Sequence, residues 1–134
     1  MKRKGSRKEK YIIDSFGWIE YFINGPLSEK YAQYIDKCRP DTCLTPSIII
    51  YEVYKIIKRE KSEEKAIFTI VHIDNYSTII NMDMKTATLG ADSSLEQGLG
   101  MADAIIWGIA QEHGAKIVTS DKDFKGKDNV IFIE

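Results

Sequence analysis

Four carboxylates in this chain occupy positions where acids are not filler. Asp14 directly follows the apolar run Tyr11-Ile12-Ile13, and Asp121 follows Lys116–Thr119 with only Ser120 between. Glu52 and Asp103 lie inside amphipathic helical patterns. Glu52 has Ile49 three residues before it and Ile56 four after, while Asp103 has Ile106 three after and Trp107 four after. Residues three and four apart are neighbours on a helix surface, so each of these acids borders an apolar stripe. An unpaired carboxylate at such a boundary is costly. It calls for a cation, a set of hydrogen bonds or a raised pKa. No lysine or arginine is clearly built in to neutralise the group. Hard oxygen donors select Mg²⁺ or Mn²⁺ over zinc or copper. A carboxylate-held divalent ion can lower the pKa of a water and stabilise a leaving oxygen, which is the usual equipment for phosphodiester hydrolysis.

Taken singly, each acid also has a structural explanation. Asp14 or Ser15 can cap the helix that follows. Asp103 lies in the first turn of its helix, where the macrodipole favours a negative charge. Asp121 can form an Asx turn ahead of Asp123 and Phe124. Glu52 can be a surface glutamate. What joins them is the alternation of elements along the chain.

The run Tyr11–Ile13 reads as a strand, followed by a helix carrying Trp18, Ile19 and Phe22 that Asn24-Gly25-Pro26 stops. Ser28-Glu29 opens a second helix with Tyr31, Ala32, Ile35 and Cys38 on or near one face. After the turn Arg39-Pro40-Asp41 come a strand, Cys43–Thr45, and a helix from Ile48 to Glu60. Lys61–Glu64 breaks and recaps the chain, and the next helix shows a stripe of Ala66, Ile67, Ile70 and Val71. Thr78–Met82 reads as a third strand. Met84–Ser93 reads as a helix with Ala87 and Leu89 turned inward. Gly98-Leu99-Gly100 precedes a strong helix, Met101–Glu112, closed by Gly114. Ala115–Thr119 and Val130–Ile133 are the last strands.

Strands alternating with helices imply an α/β fold, a three-layer α/β/α sandwich around a central, mainly parallel sheet. In such sheets the ligand crevice lies beyond the carboxyl ends of the strands. All four acids then fall at one edge.

The 134 residues fit one domain, 11–134, behind a basic N-terminal arm, 1–10, that carries Lys2, Arg3, Lys4, Arg7, Lys8 and Lys10. Hydrophobic residues make up 43% of the chain, enough for a core, and the net charge of -1 does not decide on a nucleic-acid partner. No apolar run approaches the roughly 20 residues that cross a bilayer. No apolar segment of a signal peptide follows the basic start, so the expectation is a cytoplasmic protein. Cys38 and Cys43, with only His72 and His113 elsewhere, make a poor zinc site and read as free thiols.

Three segments resemble the PIN-domain nucleases: IIDSFGWIEYF from Ile12 to Phe22, TPSIIIYEVYKIIKRE from Thr45 to Glu60, and MADAIIWGIAQEHGAKIVTSDKDF from Met101 to Phe124. Their order and spacing cover essentially the whole chain after the arm, and within the family they are most similar to the VapC-like toxins. The resemblance implies a PIN-like fold and a metal-dependent endoribonuclease. It implies that Asp14, Glu52, Asp103 and Asp121 are catalytic metal ligands for Mg²⁺ or Mn²⁺. Asp123 would be an auxiliary acid, and Ser15 with Thr119 or Ser120 would hold a ligand or a water. It further implies an RNA substrate, a homodimer and an antitoxin partner. Asp14, Asp103 and Asp121 would hold the ion, and Glu52 would complete its shell or hold a second one.

Lys55, Lys58 and Arg59, on or just past the helix of Glu52, and Lys122 beside Asp121 are candidate RNA-backbone contacts. The same helix-end cations also suit the dipole without any ligand. Two alternatives stay within the family: a housekeeping RNA-processing enzyme and a catalytically silent binding domain. Two lie outside it. A haloacid-dehalogenase-type phosphatase would want a second Asp two residues after Asp14, where this chain has Phe16. A receiver domain would have only Asp83 as its acceptor and leaves Glu52 unexplained.

Overall fold

Lys10–Ile13 forms β1, and its two innermost residues, Ile12 and Ile13, are fully buried. Around it the computed structural model describes residues 8–134. Residues 1–7 of the arm read from the sequence lie outside the described residues. At its visible end Lys8 pairs with Asp41 at 2.5 Å.

The remaining elements follow in the expected alternation: α1 (Ser15–Ile23), α2 (Ser28–Ile35), β2 (Leu44–Pro46), α3 (Ser47–Glu60), α4 (Glu63–Tyr76), β3 (Thr78–Ile80), α5 (Met84–Gln97), α6 (Met101–His113), β4 (Ala115–Thr119) and β5 (Val130–Phe132). β1 pairs with β4, β4 with β5 and β2 with β3, all parallel. A single bridge between Tyr11 and Cys43 joins β1 to β2, giving the spatial order β3-β2-β1-β4-β5. Strand order reverses between β1 and β4, because β2 and β3 build outward on one side and β4 and β5 on the other. α1 packs on α2 and α3, and α3 on α4; α5 and α6 form a separate pair, with α6 against β4. No described helix is long and apolar enough to cross a membrane.

Local chemistry sets most boundaries. Asn24 ends α1 in the left-handed region at φ 59°, and Gly98 and Gly114 do the same for α5 and α6. Ser62 caps α4 by accepting from the Lys65 amide. Asp83 and Thr86 form a reciprocal capping box at the start of α5.

Several expectations change. Of the two candidate caps of α1, Asp14 and Ser15, Asp14 takes the position. The inward face of α4 is Ala66, Thr69 and Ile73, while Ile67 and Val71 face outward at 45% and 51% exposure. Thr69 tolerates the core because its hydroxyl donates to the Lys65 carbonyl at 2.8 Å. In α5, which runs on to Gln97, the buried residues are Thr86, Gly90 and Ser93 rather than Ala87. Ser93 likewise donates to its own helix, at the Leu89 carbonyl. Small side chains on this face let α6 approach closely. A Cβ on Gly108 would lie 3.2 Å from the carbonyl carbon and oxygen of Leu89, and one on Gly90 would lie 2.9 Å from Ile105. A backbone neighbour cannot swing aside as a side chain can. Gly108→Val is therefore expected to destabilise the protein by about 1–3 kcal/mol through overpacking. The check is a denaturant titration, in which the midpoint should fall while the slope holds.

Candidate functional site

The reversal of strand order leaves a crevice at the carboxyl ends of β1 and β4. There an open cleft of about 430 Å³ is lined by Asp14, Ser15, Phe16, Glu52, Asp103, Ile106, Thr119, Ser120, Asp121 and Phe124. The four carboxylates singled out in the sequence, separated by up to 107 positions, thus meet in one cavity.

Asp14 is fixed from both sides. Its amide donates to the Val118 carbonyl at 3.1 Å, which seats it beside β4. One carboxylate oxygen accepts from the Gly17 amide at 2.8 Å, the other from the Thr119 hydroxyl at 2.7 Å. Capping α1 and lining the cleft are therefore one and the same placement. Burial pushes the Asp14 pKa up to about 6, against the pull of the Thr119 and Gly17 hydrogen bonds; the charge of Asp121 adds to the rise. Thr119, fully buried, also accepts from the Asp121 amide at 3.0 Å, so one hydroxyl sets both acids.

Asp121 caps a short 3-10 turn, Lys122–Phe124, by accepting from the Asp123 amide at 2.9 Å. Phe124 is buried and stacks on Trp107 of α6 with ring centroids 6.2 Å apart. That apolar anchor draws the turn to α6, where Asp103 sits in the first turn. One carboxylate oxygen each from Asp103, Asp121 and Asp123 lies within 4.8 Å of the others. Asp103 is half-buried, and its pKa rises to about 6, first through burial, then through the charge and hydrogen bond of Asp121 and the charges of Asp123 and Glu52. Glu52 reaches the cleft from the second turn of α3. The donor set is all oxygen and all acidic, as a hard divalent cation requires. Asp123 shares the trio with Asp103 and Asp121 but does not line the cleft itself.

Sequence reasoning missed a support beneath the site. Tyr31 of α2, read only as a core residue, is fully buried, and its hydroxyl donates to Ser120 Oγ at 3.0 Å. Burial and the nearby Asp14 charge hold the phenol above its ordinary pKa, so it stays a donor. Its ring fills the space left by Gly17, where a Cβ would stand 2.3 Å from it. The absent side chain three residues after Asp14 was the one available signal. Phe16, Ile106 and Phe124 complete the lining with apolar surface.

The proposed backbone-contact cations do not line the cleft. Lys55 lies over the Tyr51 ring at 5.3 Å and Lys58 over Tyr54 at 5.4 Å. Arg59 pairs with Glu60 at 2.9 Å. Lys122 projects from the exposed turn.

Residues 11–130 match the sequence model of the PIN domain, and the chain belongs to that family. Solved structures share its fold. A toxin–antitoxin complex from Klebsiella pneumoniae aligns at a TM-score of 0.74 with 24% identity, covering 91% of this chain and 96% of that one. DNA-bound VapBC from Salmonella typhimurium aligns at 0.70 with 16% identity, over 93% and 97%. VapC20 of Mycobacterium tuberculosis, a sarcin-ricin loop cleaving toxin, aligns at 0.67 with 11% identity, over 87% and 92%. No curated protein matches the sequence.

Two outcomes test this geometry. Asp14 and Asp103 have pKa values raised to about 6 in the folded protein, so between the ordinary carboxylate range and pH 6 the folded state binds more protons than the unfolded one. Metal-free stability should fall as pH rises through that window. A thermal melt at pH 5 should accordingly exceed one at pH 7.5, and Mn²⁺ should close the gap. Thr119→Val should cost about 1–3 kcal/mol at pH 7.5, because it leaves the buried Asp14 oxygen unsatisfied. Chemical denaturation measures that loss.

Proposed function

We propose that this protein is a metal-dependent endoribonuclease and the toxin of a toxin–antitoxin pair. The observation that carries the reading is the convergence of Asp14, Glu52, Asp103 and Asp121, with Asp123 beside them, on one cleft that no lysine or arginine lines among the described residues. Asp14, Asp103 and Asp121 would hold a Mg²⁺ or Mn²⁺ ion, with Asp123 beside them and Glu52 completing the shell or holding a second ion. Such an ion, when bound, would lower the pKa of an attacking water and stabilise charge on the leaving oxygen of an RNA phosphodiester.

The chain's own residues have distinct tasks in this reading. Thr119 fixes the Asp14 carboxylate and the Asp121 backbone together. Ser15 and Ser120 border the cleft as neutral donors for a phosphate oxygen or a water. Tyr31 holds Ser120 in place from below. Mutual repulsion among the acids makes the metal-free site a poor resting state, and that repulsion is the source of much of its affinity for a cation. Lys55, Lys58, Arg59 and Lys122 would meet the RNA backbone only outside the cleft.

The choice of RNA follows the family likeness and VapC20, itself a sarcin-ricin loop cleaving toxin. The antitoxin partner follows the toxin–antitoxin and VapBC complexes among the structural neighbours. The outward face of α4, where Ile67, Phe68 and Val71 are exposed at 45%, 60% and 51%, supports a protein partner such as the antitoxin or a second copy in a homodimer.

The test is cleavage of a mixed RNA pool by purified protein, with Mg²⁺ or Mn²⁺ against EDTA, beside Asp103→Asn. Metal-dependent cutting that the variant lacks is expected. The variant should also melt at a higher temperature than the wild type without metal at pH 7.5, since one repelling charge is gone. A large loss of melting temperature would instead make Asp103 a residue that stabilises the first turn of α6.

A further inference from the structure

Phe16 is the one exposed aromatic side chain among the residues that line the acidic cleft, at 46% exposure. It stands two residues after Asp14, in the first turn of α1, and lines the same cleft as that carboxylate. The core does not need it there, since Gly17, Trp18, Ile19 and Glu20 are the buried residues of the helix. Nor is the ring loose. It packs edge-to-face with the buried Tyr31 ring, with centroids 6.4 Å apart and planes at 66°. Through Tyr31 it is tied to Ser120, hence to the same support that shapes the catalytic wall.

The cleft poses a physical problem that this ring answers. A nucleic-acid substrate is a polyanion, yet among the described residues the lining offers acids, hydroxyls and apolar groups and no lysine or arginine. A bound cation can meet one phosphate. Grip on the adjoining nucleotide must come from something other than ion pairing. A flat apolar face held at the mouth suits a nucleobase, because every base has a π-face and stacking tolerates any sequence. Bases inside a duplex are already stacked on both sides, so only an unpaired nucleotide can use such a platform.

We propose that Phe16 is a nucleobase-stacking platform that selects single-stranded nucleic acid, seating the base next to the phosphate held at the acidic site. This rests on the nuclease reading above and adds a subsite to it. The platform reads the unpaired state of the base, not its identity and not the sugar.

The first experiment compares two small ligands in the presence of Mg²⁺, adenosine 5′-monophosphate and ribose 5-phosphate, titrated into the full chain by NMR. They share the phosphate and the sugar and differ in the base. Wild-type protein should bind the nucleotide roughly ten- to a hundredfold more tightly. Phe16→Ala should bring the two affinities together, and Phe16→Trp should keep them apart. Phe16→Leu retains apolar bulk without the π-face and should lose most of the difference. Mn²⁺ affinity by calorimetry should be the same in all four proteins, which separates this subsite from the metal centre. In cleavage assays the wild type should prefer a single strand over the same sequence in a duplex, and Phe16→Ala should lose activity on the single strand by a similar factor. Equal affinities for the two ligands in the wild type, or an unchanged ratio in Phe16→Ala, would overturn the platform and leave the nuclease reading intact. If the wild type cuts no RNA with metal present, the nuclease reading falls, whatever the nucleotide titration shows.

Discussion

The site depends on one buried contact, the Thr119 hydroxyl donating to the Asp14 carboxylate at 2.7 Å across the seam between β1 and β4. A carboxylate that is only 8% exposed is costly unless its oxygens are satisfied. Asp14 meets that requirement with two donors, one from the neighbouring strand and one from the helix it starts. The seam is where strand order reverses, so the same contact joins the two halves of the sheet. The hydroxyl's second bond, from the Asp121 amide, carries the arrangement on to the next acid.

From there apolar packing takes over. Phe124 stacks on Trp107 and thereby holds the turn carrying Asp121 and Asp123 against α6 and Asp103. Tyr31, wedged where Gly17 has no side chain, backs Ser120. The acids themselves repel one another, and the raised pKa values of Asp14 and Asp103 record this together with the cost of burial. The cluster is thus held by hydrophobic anchors and hydrogen bonds that act against its electrostatics. A fold that spends stability in this way is prepared to gain it back from a cation.

The placement of apolar surface follows a related logic. α4 and α5 bury several small side chains, with Thr69 and Ser93 donating to carbonyls of their own helices and Thr86 to those of Asn81 and Asp83 just before α5. This frees larger apolar residues, Ile67, Phe68 and Val71, for the outer face. At the mouth of the cleft Phe16 remains exposed beside four carboxylates. Neither feature is explained by the core.

The sequence by itself determined the alternation of elements and the four acids. Both rest on local rules: apolar periodicity, stop signals such as Gly98 and Gly114, and the position of an acid directly after a strand. It also exposed the structural side of each acid, and Asp14 and Asp121 do cap helical turns as well as line the cleft. The inward faces of α4 and α5 were not legible. Hydrophobicity ranks Ile67 and Val71 above Thr69, and only tertiary packing reveals that a small, self-satisfied side chain fits the gap better. Asp123's place in a trio with Asp103 and Asp121 and Tyr31's support of Ser120 were likewise decided by the fold. These are contacts between segments far apart in the chain, and no local pattern encodes which distant residue will fill a space.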